Sequence, residues 1–167
     1  MQYRYWVELQ TLKAHAFYLE LYQLHCENIE RWISGILALA SSSSIAGWVI
    51  WKEYAFAWAC FIMASQVIST LYRYLPFKAR IKPLGAAGVE LAVLANAAEK
   101  GWYEISTGNV PEEEINKKMF ALRDKSSAIL KSAFGVMVIP ENEKLLAKAE
   151  KQMHKHFKSH YPELQDE

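Results

Sequence analysis

Two stretches of the chain carry no charged residue, residues 32–51 and residues 54–72, and only Lys52 and Glu53 separate them. A helix rises 1.5 Å per residue, so about 20 residues cross the roughly 30 Å hydrocarbon core of a bilayer. The two stretches hold 20 and 19 residues. Core helices of soluble bundles usually keep a charged side toward water, and neither stretch has one. The pattern predicts a two-helix transmembrane hairpin over residues 32–74, with spans 32–51 and 54–72. Both spans must be helical, because hydrocarbon offers no partner to free backbone groups.

The flanks read as helices too. Residues 3–31 contain neither Gly nor Pro, and Leu9, Leu12, Ala16 and Leu19 recur at helical spacing. This N-terminal helix is expected to run into the first span with little break. Pro76 is expected to end the second span's helix and Pro83 to start another over residues 83–106, with Leu84, Ala87, Leu91, Leu94 and Ala98 on its apolar side. A turn over residues 106–109 follows. Pro111 suits a first helical turn, and Glu112, Glu113 and Glu114 complement the positive end of a helix that should reach about Phe134. Residues 135–139 are short and apolar; linker, strand and docking segment stay open. A last helix from Pro140 and Glu141 to near His160 has weak amphipathicity, through Leu145, Leu146, Met153 and Phe157, and is expected to be peripheral. The expected fold is an all-α membrane protein: a cytoplasmic N-terminal helix (1–31), the hairpin (32–74), a cytoplasmic helical hairpin (75–134), and a C-terminal segment with a charged helix (135–167).

Charge sets the orientation. Arg31 precedes the first span, and Arg73, Lys78, Arg80 and Lys82 follow the second, so both termini are expected in the cytoplasm and the short loop in the periplasm of a bacterial inner membrane. Trp32, Trp48, Trp51, Tyr54, Trp58, Tyr72 and Tyr74 gather near the span ends, as interfacial aromatic belts do. Overall, 19 Lys and Arg nearly balance 18 Asp and Glu in 167 residues, so no global charge draws the chain to nucleic acid. Cys26 and Cys60 are far apart and match neither a disulfide framework nor a zinc motif. The N-terminus, with its aromatic and charged residues, does not read as a signal peptide.

The spans are long enough but polar. Ser34 and the run from Ser41 to Ser44 interrupt the first; Ser65, Gln66, Ser69 and Thr70 interrupt the second. Two helices cannot enclose that much polar surface, so a homo-oligomer is expected, a tetramer first. Ser34, Ser41, Ser44, Ser65, Gln66, Ser69 and Thr70 are the candidate pore-lining residues. Interhelical hydrogen bonding in a closed bundle explains the same residues equally well. Gln66 is the most informative, since serine can bond back to its own helix.

For an anionic ligand, Arg80, Lys82, Lys117, Lys118 and Arg123 offer charge, and Trp102 and Tyr103 offer rings for stacking. Topology control, solvation and core packing are the blander uses of the same side chains. Gly85 and Gly88 match no phosphate-binding fingerprint. His156 and His160 share a helix face beside His154, yet lysines surround them and no carboxylate is fixed nearby, so a solvated tail and no metal are expected. No nucleophile, base and acid stand together, so no catalytic residue and no enzyme are expected.

The stretch AHAFYLELYQLHCENIERWISGILALASSSSIAGW (residues 14–48) sets aromatic and small residues, then a Glu-Arg pair, before a serine-rich span. The segment LGAAGVELAVLANAAEKGWYEISTGNVPEEEINKKMFALRD (residues 84–124) places a tryptophan before a turn and a new helix. In these features the chain resembles the SLATT family of two-transmembrane effectors, over roughly residues 10–130. The resemblance implies a homo-oligomeric pore of an anti-phage defence system. It would depolarise the membrane, arresting growth or killing the cell, in response to a cytoplasmic nucleotide-type signal. It also implies a nucleotide or oligonucleotide ligand and, through that product, a nucleotidyltransferase partner. The alternative is a non-conducting membrane anchor or adaptor that recruits a soluble protein.

Overall fold

A computed structural model describes residues 1–50, 55–72 and 77–161, with side chains described for 1–39, 56–72 and 79–161. Among the described residues the chain is all-helical: α1 (Gln2–Ile50), α2 (Ala55–Tyr72), α3 (Phe77–Ser106), α4 (Glu112–Phe134) and α5 (Glu143–His160). The expected fusion of the N-terminal helix with the first apolar stretch is observed, as α1 is one helix of 49 residues. Lys52 and Glu53 lie outside the described residues, as do Trp51, Tyr54, Arg73, Tyr74 and Pro76 and the side chains of Ser41, Ser44, Trp48 and Lys78.

The helices form two compact units, one of Met1–Gln23 with Lys82–Glu167 and the other of Leu24–Ile81. In the first unit α1 and α3 run antiparallel. The Gln2 amide donates to the Ile105 carbonyl at 3.0 Å, and the Tyr5 hydroxyl donates to the Ala98 carbonyl at 3.0 Å. Leu9, Leu12, Ala16 and Leu19 of α1 are buried, as are Leu84, Ala87, Leu91, Ala95, Ala98, Trp102 and Ile105 of α3. Gly101 permits the close approach: a Cβ there would stand 2.6 Å from the Tyr5 hydroxyl oxygen. Gly108 (φ 78°) takes a left-handed backbone in the α3–α4 turn, a conformation glycine adopts without steric cost.

The helix expected to start at Pro83 begins at Phe77, and Pro83 lies inside it. Proline there removes the bond its own nitrogen would have made one turn back and crowds the Ala79 carbonyl, yet the helix continues on both sides of it. α4 starts after Pro111 with Glu112, Glu113 and Glu114 in its first turn and buries Ile115, Met119 and Leu122. The apolar residues 135–139 form a turn and irregular chain, not a strand, and Val136 is fully exposed.

α5 is not peripheral. Leu145, Ala149, Met153 and Phe157 recur every four residues and are all buried. The Asn142 side chain caps the helix by accepting from the Leu145 N–H at 3.3 Å. The Tyr18 hydroxyl accepts from the Asn142 N–H at 3.1 Å and donates to the Pro140 carbonyl at 3.4 Å, which holds the start of α5 to α1.

In the second unit Cys26 is the only buried side chain among those described. Phe56, Phe61, Met63, Val67, Ile68 and Leu71 of α2 are exposed, as are Trp32, Ile36 and Leu39 of α1. By length and composition, one described stretch is long and apolar enough to cross a membrane, Ala79–Ser106 of α3; Phe56–Tyr72 is a shorter apolar helix. The α3 stretch passes because it is apolar on two sides. One side packs within its unit, while Val89 and Val93 face outward.

Candidate functional site

A polar cluster is built into the first unit. Lys13 is buried, although α1 is otherwise apolar on that side. Its ammonium donates to the Asn96 side-chain oxygen at 3.0 Å and to Glu99 Oε2 at 3.3 Å. From α5, His156 Nε2 lies 3.2 Å from Glu99 Oε1, and the Tyr161 hydroxyl donates to the same oxygen at 3.3 Å. One carboxylate thus joins α1, α3 and the end of α5. Burial alone would raise the Glu99 carboxyl above its usual range. The His156 hydrogen bond and the Lys13 charge outweigh burial and hold it below that range. Burial raises the Tyr161 hydroxyl, and the neighbouring Glu99 charge raises it further.

Aromatic rings close over the cluster. Trp6 packs on Trp102 with centroids 4.9 Å apart, on Phe157 at 4.8 Å and on Tyr161 at 5.5 Å. His160 stacks on His156 at 4.3 Å. His156 therefore has the fixed carboxylate that local sequence did not offer. Glu99 is 57 positions away, and no periodicity links the two. Beside the cluster, Phe17, Glu20, Gln152, Lys155, His156 and Ser159 line an open groove of ≈ 320 Å³. Among the described residues no group of His, Cys, Asp and Glu has the arrangement to hold a metal ion.

The candidate ligand residues do not come together as one site. Trp102 is 7% exposed and committed to the Trp6 and Tyr5 rings, whereas Tyr103 is 74% exposed. Lys118 Nζ bonds Glu104 at 3.0 Å and Glu114 at 3.4 Å. Those bonds raise the Lys118 ammonium and lower the Glu104 carboxyl. Arg123 bonds Glu8 with Nε at 2.7 Å and Nη2 at 2.6 Å. Lys117 and Lys82 are on the surface, without ion pairs among the described residues. Arg80 is half-buried in the second unit near Cys26, and its Nε has no hydrogen-bond partner among the described residues. Burial raises the Cys26 thiol against the opposing effect of Arg80.

Among the candidate pore residues, hydroxyls and amide behave differently. Ser65 donates to the Ile62 carbonyl at 2.7 Å and Thr70 to the Gln66 carbonyl at 2.9 Å, so both are satisfied within α2. Ser34 lies 3.5 Å from the Tyr72 hydroxyl. Gln66 and Ser69 are exposed, and their side chains make no hydrogen bond among the described residues. The side chains of Ser41 and Ser44 lie outside the described residues. No protein-family model, curated protein or solved structure matches the chain.

Proposed function

We propose that the chain is a SLATT-type membrane effector whose residues 32–74 cross a bacterial inner membrane as a hairpin, with both termini in the cytoplasm. In this reading several copies assemble into a pore that depolarises the membrane on a cytoplasmic nucleotide-type signal during phage infection. The observation that carries it is the inverted character of α2. This helix holds no charged residue and displays Phe56, Phe61, Met63, Val67, Ile68 and Leu71, yet also presents the side chains of Gln66 and Ser69, which make no hydrogen bond among the described residues. Water penalises such an apolar surface, and a bilayer welcomes it. Hydrocarbon in turn penalises a bare amide, which a neighbouring copy or a water-filled pore relieves. The length of the two charge-free stretches and the family resemblance add support.

A second reading has its own observation. Ser65 and Thr70 are satisfied by their own helix, so these hydroxyls need no water. A closed bundle serving as a membrane anchor or adaptor accommodates them equally well. Leakage from salt- or dye-loaded liposomes separates the two. The pore reading expects leakage from the reconstituted chain under at least one nucleotide condition, and an altered conductance in Gln66→Leu. A sealed barrier under every condition supports the anchor.

A further inference from the structure

α5 carries five lysines, Lys144, Lys148, Lys151, Lys155 and Lys158, at alternating spacings of four and three residues. A helix turns about 100° per residue, so the five fall within an arc of about 80° and extend over ~21 Å. The buried residues Leu145, Ala149, Met153 and Phe157 occupy the opposite side. All five lysines are exposed, and none forms an ion pair among the described residues. At helical neighbour spacing they meet one another; only Lys144 has a carboxylate there, that of Glu141. Like charges at three- and four-residue spacing oppose helix formation. The stripe therefore works against its own helix, and core packing on the other side holds α5 in place. The chain's near-neutral total charge conceals this local excess.

We propose that this lysine stripe binds the phosphodiester backbone of nucleic acid without reading its sequence. The charges form a straight convex ridge, which suits a polymer of regularly spaced phosphates rather than one small nucleotide in a pocket. α5 has no arginine, so it lacks the fork that grips base edges. Its outer side has no Phe, Tyr or Trp on which a base would stack. Of the other cations weighed for anion binding, Lys118 and Arg123 already hold carboxylates, and Lys82 and Lys117 lie on other helices outside this stripe. A bilayer surface fits less well. An amphipathic helix lies on lipid by burying its apolar side there, and the apolar side of α5 is buried in protein. The inference stands apart from the pore reading, and each is tested by a different readout.

The test is fluorescence anisotropy of the full chain in neutral detergent with a labelled single strand of about 20 nucleotides, titrated across salt. Five single-strand phosphate contacts predict a slope of log Kobs against log salt of about −3.5, a weakening of about 100-fold between about 50 and about 200 mM. The triple variant Lys148→Gln, Lys151→Gln, Lys155→Gln should lower the slope to about −1.4. Its helical circular dichroism should stay unchanged, because these side chains lie outside the core. A strand of scrambled sequence should bind equally. The proposal is overturned by an absence of binding at low salt, by a folded triple variant that binds as the parent does, or by binding confined to anionic lipid micelles.

Discussion

In the unit of Met1–Gln23 and Lys82–Glu167, large apolar side chains turn inward, and a buried cation, Lys13, is matched by Glu99. In Leu24–Ile81 the described apolar side chains turn outward, and only Cys26 is enclosed. The two units draw on similar residue types. What differs is where the charge falls: the first has it along every helix, so each helix has a wet side, while α2 has none. Burial is thus decided by where polar groups can find water, and leucine and methionine serve as core in one unit and as outer surface in the other.

The difference is breakable by mutation. Leu91 is fully buried, and Leu91→Ala should cost about 3 kcal/mol. Val67→Ala, on the exposed side of α2, should cost below about 0.5 kcal/mol by the same chemical denaturation in detergent. Equal costs would show that α2 is as enclosed as α3.

Glu99→Gln should cost about 2 kcal/mol, because it leaves the Lys13 charge buried with a neutral partner. The same variant has a pH signature. Glu99 is held below the usual carboxylate range when folded, so the unfolded chain binds more protons around and below pH ~4.3. Its stabilising contribution is complete above that pH and is lost as pH falls through the folded value. Unfolding followed by near-ultraviolet circular dichroism should show this acid loss in the parent and a flatter profile in Glu99→Gln.

Gly101→Ala should cost about 2 kcal/mol, since its Cβ would meet the Tyr5 hydroxyl at 2.6 Å. In a Tyr5→Phe background the ring carbon Cζ at 3.6 Å is the contact that remains, and the cost should drop below about 1 kcal/mol. A double-mutant cycle checks this, and additivity would mean that the contact does not limit the approach. Smallest of all, Lys118→Gln should change stability by less than about 1 kcal/mol, as its partners Glu104 and Glu114 are more than half exposed.

Much of the helical order was legible in local sequence. The absence of Gly and Pro from residues 3–31 foretold an unbroken α1, and Pro111 with its three glutamates foretold α4. The packing of α5 is hard to read from sequence because its apolar ridge is one residue wide and includes Ala149, which adds little hydrophobic signal yet is fully buried. The Glu99 cluster was illegible for another reason. Lys13, Glu99 and His156 come from three helices far apart in the chain, and only tertiary packing brings them within hydrogen-bond reach. Trp102 offered an aromatic ring in the sequence, but Trp6 and Tyr5 had already claimed its faces.

The division of the chain has a consequence for biosynthesis. The first unit is interrupted by Leu24–Ile81, and its N-terminal part waits for partners made later. As residues 1–23 leave the ribosome, the Trp6 ring and the Lys13 ammonium have neither Trp102 nor Glu99 to meet. The apolar middle emerges before those partners exist, so it leaves the ribosome before the bundle closes. Non-local contacts of this kind close slowly. That order keeps α1 from being locked against α3 while the apolar middle is still being made.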